Sequence, residues 1–131
     1  MASDPNQLAG KTVLVVEDDA SLREMYGTAF RLAGADVMSA ENGEDGLLQL
    51  RDKKANVIVF DIMMPKMNGY EFIRTVKSFP ELEHIPLIAL TNLDAHPEYL
   101  KEATGVQVEE YLVKANTALD ELIKIVKKYT G

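Results

Sequence analysis

Five short runs rich in apolar and β-branched residues recur along this chain: TVLVV (12–16), ADVMSA (35–40), NVIVF (56–60), PLIAL (86–90) and VEEYLV (108–113). Each is followed by a segment of helical length with an amphipathic pattern. This alternation constrains the fold more than any other feature. Strands separated by helix-length crossovers cannot pair as hairpins, so they pair in parallel, with the helices packed over the sheet. The expected architecture is an α/β, doubly wound sandwich of five parallel strands and five helices. The first, third and fourth runs are almost wholly apolar, as interior strands buried on both faces must be. The second and fifth carry more polar residues and suit the edges.

The helical segments carry their own start and stop signals. In the first, Leu22, Tyr26, Ala29, Phe30 and Ala33 form one buried stripe, and Gly34 sits where a left-handed stop is needed. The second opens at Asn42, a good N-cap, and carries Leu47, Leu48 and Leu50. The third starts near Gly69 and runs through Phe72, Ile73 and Val76 until Pro80 blocks it. The fourth follows Asp94, with Pro97 tolerable in its first turn. In the last, Thr117 and Asp120 resemble a capping box, Leu119, Leu122, Ile123, Val126 and Tyr129 line one face, and Lys124, Lys127 and Lys128 favour the helix end. Residues 1–10 read as a flexible tail before a single domain spanning 11–131.

Composition removes several function classes. With no cysteine there are no disulfides, thiolate metal sites or cysteine nucleophile. A formal net charge of −7 opposes direct nucleic-acid binding, which requires clustered Lys and Arg. No run approaches the roughly 20 apolar residues of a membrane span, and the polar start MASDPNQLAG lacks the regions of a signal peptide. The expectation is a soluble cytoplasmic chain without membrane insertion.

Ligands of open α/β sheets bind beyond the carboxyl ends of the strands. Glu17, Asp18 and Asp19 follow the first run, Asp61 the third, Thr91 the fourth and Lys114 the fifth. One such residue is an ordinary cap; the whole set is hard to explain by capping. Converging carboxylates repel and must protonate or share a cation. Magnesium fits best, a hard ion that takes one or two carboxylates, keeps waters and recruits phosphate oxygens. His84 and His96 sit apart from every strand end and read as surface or loop residues. A lysine and a threonine hydroxyl beside such an ion can hold a phosphoryl group passing to Asp61, since this chemistry asks mainly for positioning and charge stabilisation.

VLVVEDD, VIVFDIMMPKMNGYEF, LIALT and YLVKA, in register over about residues 11–129, resemble the signature segments of response-regulator receiver domains. The resemblance implies the flavodoxin-like strand order 2-1-3-4-5. It implies Asp61 as phosphoacceptor and a Mg2+ ion held by Asp18, Asp61 and the Met63 carbonyl, with Glu17 acting through water. Asp19 is read as a loop or cap residue. Thr91 and Lys114 grip the phosphoryl oxygens, and Tyr111 is the aromatic switch that turns inward as Thr91 moves. The implied function is a phosphoacceptor switch in a two-component phosphorelay. It takes its phosphoryl group from a sensor histidine kinase or phosphotransfer protein and presents a changed fourth-helix, fifth-strand and fifth-helix face to a downstream protein. It is catalytic only on its own phosphorylation and dephosphorylation. A monomer is expected, with dimerisation on phosphorylation an option, and the chain is expected to be either a stand-alone regulator without an output domain or a receiver cut from a longer protein.

Two positions depart from the family pattern or refine it. Ala115 stands where proline usually follows the lysine, and a cis bond before alanine costs roughly 2.5–4 kcal/mol, so a trans bond is expected. Met63 and Leu93, two residues beyond Asp61 and Thr91, offer an attacking water no hydrogen-bond partner, which implies slow self-dephosphorylation. Three rivals are weaker. A haloacid-dehalogenase-like phosphatase would place an Asp at Met63, and a nucleotide- or flavin-binding module would carry a glycine-rich loop where Glu17, Asp18 and Asp19 stand. A degenerate receiver used only for docking would not retain the full set.

Overall fold

The computed structural model describes residues 5–92 and 97–131. The chain runs β1 (Thr12–Val16), α1 (Ala20–Leu32), β2 (Asp36–Ala40), α2 (Gly43–Asp52), β3 (Val57–Phe60), α3 (Gly69–Ser78), β4 (Leu87–Thr91), α4 (Pro97–Thr104), β5 (Glu110–Val113), a 3-10 turn (Lys114–Asn116) and α5 (Leu119–Thr130). The strands form one parallel sheet in the order β2-β1-β3-β4-β5, the order the resemblance implied, with the two more polar runs at its edges.

Alternation along each strand divides the core in two. Leu14 and Val16, Ile58 and Phe60, and Leu87 and Ala89 join Leu50, Phe72, Ile73, Val76 and Leu100 beneath α2, α3 and α4. Val13 and Val15, Val57 and Val59, and Ile88 and Leu90 join Tyr26, Phe30, Leu122, Ile123 and Val126 beneath α1 and α5. Because β1 leads outward to β2 while β3 leads outward to β4 and β5, the strand order reverses between β1 and β3. The carboxyl ends of these two strands therefore border a crevice.

Side-chain caps begin three helices. Asp19, Asn42 and Asn68 accept from the backbone N–H groups of Leu22, Asp45 and Glu71, each worth about 1 kcal/mol. Gly34 ends the first helical segment at φ +97°, as expected. Three local expectations need correction. The last helix has no capping box: Ala118 is its N-cap, Thr117 donates its hydroxyl to the Val113 carbonyl, and Asp120 accepts from the adjacent Glu121 N–H. The 3-10 turn consumes Thr117 one residue too early for a cap. Leu48 is 52% exposed, although Leu47 and Leu50 pack inward. Nor are residues 5–10 loose: they form turns, and Leu8 is fully buried beside Phe30 and Ala33, its N–H bonded to the Ala33 carbonyl at 2.7 Å. Asp94 and His96 lie outside the described residues; His84 is exposed.

Candidate functional site

A cleft of about 270 Å³ opens over the carboxyl ends of β1, β3 and β4, lined by Glu17, Asp18, Asp19, Leu22, Asp61, Met63, Thr91, Asn92 and Lys114. Its acidic residues are held by the ends of the central strands. The Glu17 N–H bonds to the Ala40 carbonyl of β2, and the Asp61 N–H to the Val16 carbonyl of β1, both at 3.0 Å. The two side chains thus leave the sheet from backbone that is already paired. Asp61 is further fixed by its own loop, Oδ1 accepting from Ile62 N–H at 2.7 Å and Met63 N–H at 3.4 Å.

The loop after Asp61 folds back tightly enough to exclude a side chain at Gly69. A Cβ there would stand 2.6 Å from Ile62 Cα and 2.7 Å from the Asp61 carbonyl oxygen. The Gly69 N–H instead reaches the Ile62 carbonyl at 2.8 Å. So the glycine of the Asn-Gly pair serves close approach rather than a left-handed turn; the positive φ of this loop falls on Lys66.

Lys114 enters from β5 through the 3-10 turn. Its Nζ lies 2.7 Å from Asp61 Oδ2 and 2.5 Å from Glu17 Oε1, with all three side chains at most 8% exposed. The Lys114–Ala115 bond is trans, the described residues containing no cis peptide. Burial pulls the ammonium towards deprotonation, but the hydrogen bonds and charges of Asp61 and Glu17 outweigh it, leaving its pKa raised. The Glu17 pKa is also raised, chiefly by burial and against the hydrogen bonds from Lys114 and the Asp19 N–H. One ammonium shared by two buried carboxylates leaves the pair short of positive charge.

Carboxylate oxygens of Glu17, Asp18 and Asp61 lie within 4.8 Å of one another, with Asp18 exposed at the mouth. Three ionised carboxylates against one ammonium leave two negative charges, the amount a divalent cation neutralises. All the acidic donors are hard oxygens, which suits Mg2+ and excludes nothing harder.

All six residues read from the strand ends line this cleft; Tyr111, implied by the resemblance, is not among its lining residues. Met63 is 64% exposed at its rim, and Thr91, the last residue of β4, is buried. Tyr111 is half-buried on β5 and packs against the cluster that includes Leu100 of α4. Leu93 lies outside the described residues. Two contributors escaped the sequence reading. Asn92 lines the cleft and could have been found as the residue after Thr91. Arg23 donates to the carbonyls of Glu17 and Asp18, and no spacing rule pointed to it.

The sequence matches the response regulator receiver domain family over residues 13–127. It is 35% identical to an uncharacterized 14.6 kDa protein of Leptolyngbya boryana, over 93% of this chain and 92% of that one. Its structure is similar to that of chemotaxis protein CheY4 of Vibrio cholerae, with a TM-score of 0.83, 30% identity, and coverage of 92% and 99% of the two chains. Response regulator TrrA of Thermotoga maritima, solved in complex with Mg(2+)-BeF, is similar at a TM-score of 0.78 and 28% identity, covering 91% and 98%. The chain spans about 15% to 55% of the length of four other curated relatives it matches. Among the described residues, no helix is long and apolar enough to cross a membrane. With its five-stranded parallel sheet, its acidic cleft and a family match across nearly its whole length, the chain belongs to the response-regulator receiver domains of two-component signalling.

Proposed function

We propose that this chain is the phosphoacceptor switch of a two-component phosphorelay, with Asp61 as the acceptor. A carboxylate oxygen of Asp61 attacks the phosphorus of a phosphohistidine on a histidine kinase or phosphotransfer protein. The new O–P bond forms as the P–N bond breaks, and the imidazole departs with the electron pair and takes a proton from solvent. The observation that carries this reading is the Lys114 ammonium, drawn between Asp61 and Glu17 in a cleft that also holds Asp18 and Thr91. That arrangement suits stabilising charge on a group arriving at Asp61.

Asp18, Asp61 and the Met63 carbonyl would hold Mg2+, with Glu17 acting through water. Bound there, the ion screens the attacking carboxylate from the phosphoryl oxygens. The charge sum of the cleft and the Mg(2+)-BeF complex of the similar TrrA support a magnesium ion in this cleft. Thr91 and Lys114 grip the phosphoryl oxygens. Lys114 must loosen from Glu17 to do so, and bound Mg2+ would offset the Glu17 charge through the intervening water. Tyr111 then turns inward as Thr91 is drawn to the phosphate, changing the α4–β5–α5 face offered to a downstream protein. The chain acts on no separate substrate, and it works in the cytoplasm beside its kinase.

Intact mass after incubation with acetyl phosphate tests the reading. One phosphoryl group should add to the wild type with Mg2+, and none without Mg2+ or in Asp61→Asn. If the wild type neither gains mass nor binds beryllofluoride with Mg2+, the reading is overturned.

A further inference from the structure

We propose that Arg23 is a positioning residue for the cation site, acting through the main chain of Glu17 and Asp18; this rests on the magnesium reading of the cleft. Arg23 lies in the first turns of α1, half-buried, and turns back over the loop it has just left. Its Nη1 donates to the Glu17 carbonyl at 2.7 Å and reaches the Asp18 carbonyl at 3.4 Å. Both acceptors are main-chain oxygens, so neither bond uses a carboxylate oxygen that a cation would need. A guanidinium this close to three acids would ordinarily pair with one of them. Here it grips the main chain and makes no claim on the carboxylate oxygens.

The loop is held from its other sides as well. The Glu17 N–H is tied to β2, the Asp19 N–H reaches Glu17 Oε2 at 3.1 Å, and Asp19 caps α1 by accepting from the Leu22 N–H at 3.0 Å. These contacts fix the chain before and after the acidic pair. The Asp19 N–H shares its peptide plane with the Asp18 carbonyl, so that plane is held from both edges, while the plane between Glu17 and Asp18, whose rotation sets the directions in which the two side chains leave the chain, is gripped at the Glu17 carbonyl by the shorter Arg23 bond. Arg23 supplies the missing restraint. Groups that orient metal ligands in this way commonly change affinity by about 10–100-fold when removed.

The sign of the effect separates this role from simple electrostatics. Arg23 is a cation near a cation site, so by charge alone its removal should tighten Mg2+ binding. Loss of positioning should weaken it. Calorimetric titration of the full chain with MgCl2 measures the difference, beside thermal melting without Mg2+. Arg23→Met should weaken Mg2+ binding about tenfold while keeping a cooperative melt near that of the wild type. Arg23→Lys, whose ammonium can reach either carbonyl but lacks the planar fork, should recover part of the loss. Unchanged or tighter binding in Arg23→Met overturns the proposal while leaving the magnesium reading intact, whereas a wild type that does not bind Mg2+ removes both. If Arg23→Met does not fold, Arg23→Lys decides: weaker binding than wild type supports the role, and equal or tighter binding overturns it.

Discussion

The central strands and the β5 edge contribute to the same cleft on very different terms. All four residues of β3 are buried, whereas all four of β5 are only half-buried. β3 is paired on both sides, by β1 and β4; β5 has β4 alone. Asp61 and Glu17 leave from the fully paired centre, their N–H groups already bonded to neighbouring strands. Lys114 and Tyr111 come from the edge. Asp61 therefore stands between backbone paired on both sides and a strand with a single neighbour, and the proposed switch would act on the singly paired side.

Mutations should expose this asymmetry, most of all in the core. Phe60→Ala, at a fully buried ring 6.0 Å from that of Phe72, should cost about 4 kcal/mol in urea unfolding. Leu112→Ala on β5 should cost about 1 kcal/mol, and equal losses would break the contrast. Next in size is Gly69→Val, whose Cβ would collide with main-chain atoms of Asp61 and Ile62. It should destabilise the chain by about 2 kcal/mol and slow phosphorylation by acetyl phosphate as well. A stability loss with an unchanged phosphorylation rate would show that this loop is not part of the fixed side.

A smaller effect is linked to pH. With the Glu17 pKa raised by burial, the folded chain holds that proton more tightly than the unfolded one. The contribution is fully present below the ordinary value of 4.5 and is lost as pH rises through the raised value. The Lys114 pKa, raised as well, adds a loss only above 10.5, in the alkaline range. Between them, Glu17 is a buried charge that shares the Lys114 ammonium with Asp61, and Mg2+ should stabilise it further. The rise in melting temperature on adding Mg2+ should accordingly be larger at pH 8 than at pH 5; an equal rise at both would take Glu17 out of the cation site. The subtlest change concerns lifetime. Replacing Met63 by Asn together with Leu93 by Glu should shorten the phosphoryl half-life followed by mass, and a half-life that does not shorten would remove the apolar pair as its cause.

Much of this was legible in the sequence because it follows from periodicity and chain ends. Strands buried on both faces must be apolar throughout, so VIVF announced a central strand and Asp61 its carboxyl end. Helix caps were partly legible: Asn42 was clear, while Asn68 was hidden in a Pro-x-x-Asn-Gly stretch that reads equally well as a turn. Thr117 misled because a 3-10 turn, which leaves no periodic trace, intervenes before α5. Nor could spacing reveal that Lys114 bridges Glu17 as well as Asp61, or that Arg23 seeks carbonyls rather than acids. Such choices are made by geometry across elements, not by any pattern within one.

Leu8 gives the domain a different beginning from the one its sequence suggests. The family match starts at residue 13, yet a fully buried side chain five positions earlier closes the layer beneath α1 and α5. Gly34 makes room for it, since a Cβ there would meet the Pro5 carbonyl at 2.9 Å. The unit that folds is thus longer than the unit that is recognisable. Trimming the chain to its recognisable boundary would uncover Phe30 and Ala33 and leave an apolar notch at the foot of the sheet, an opening for self-association that the intact chain has sealed.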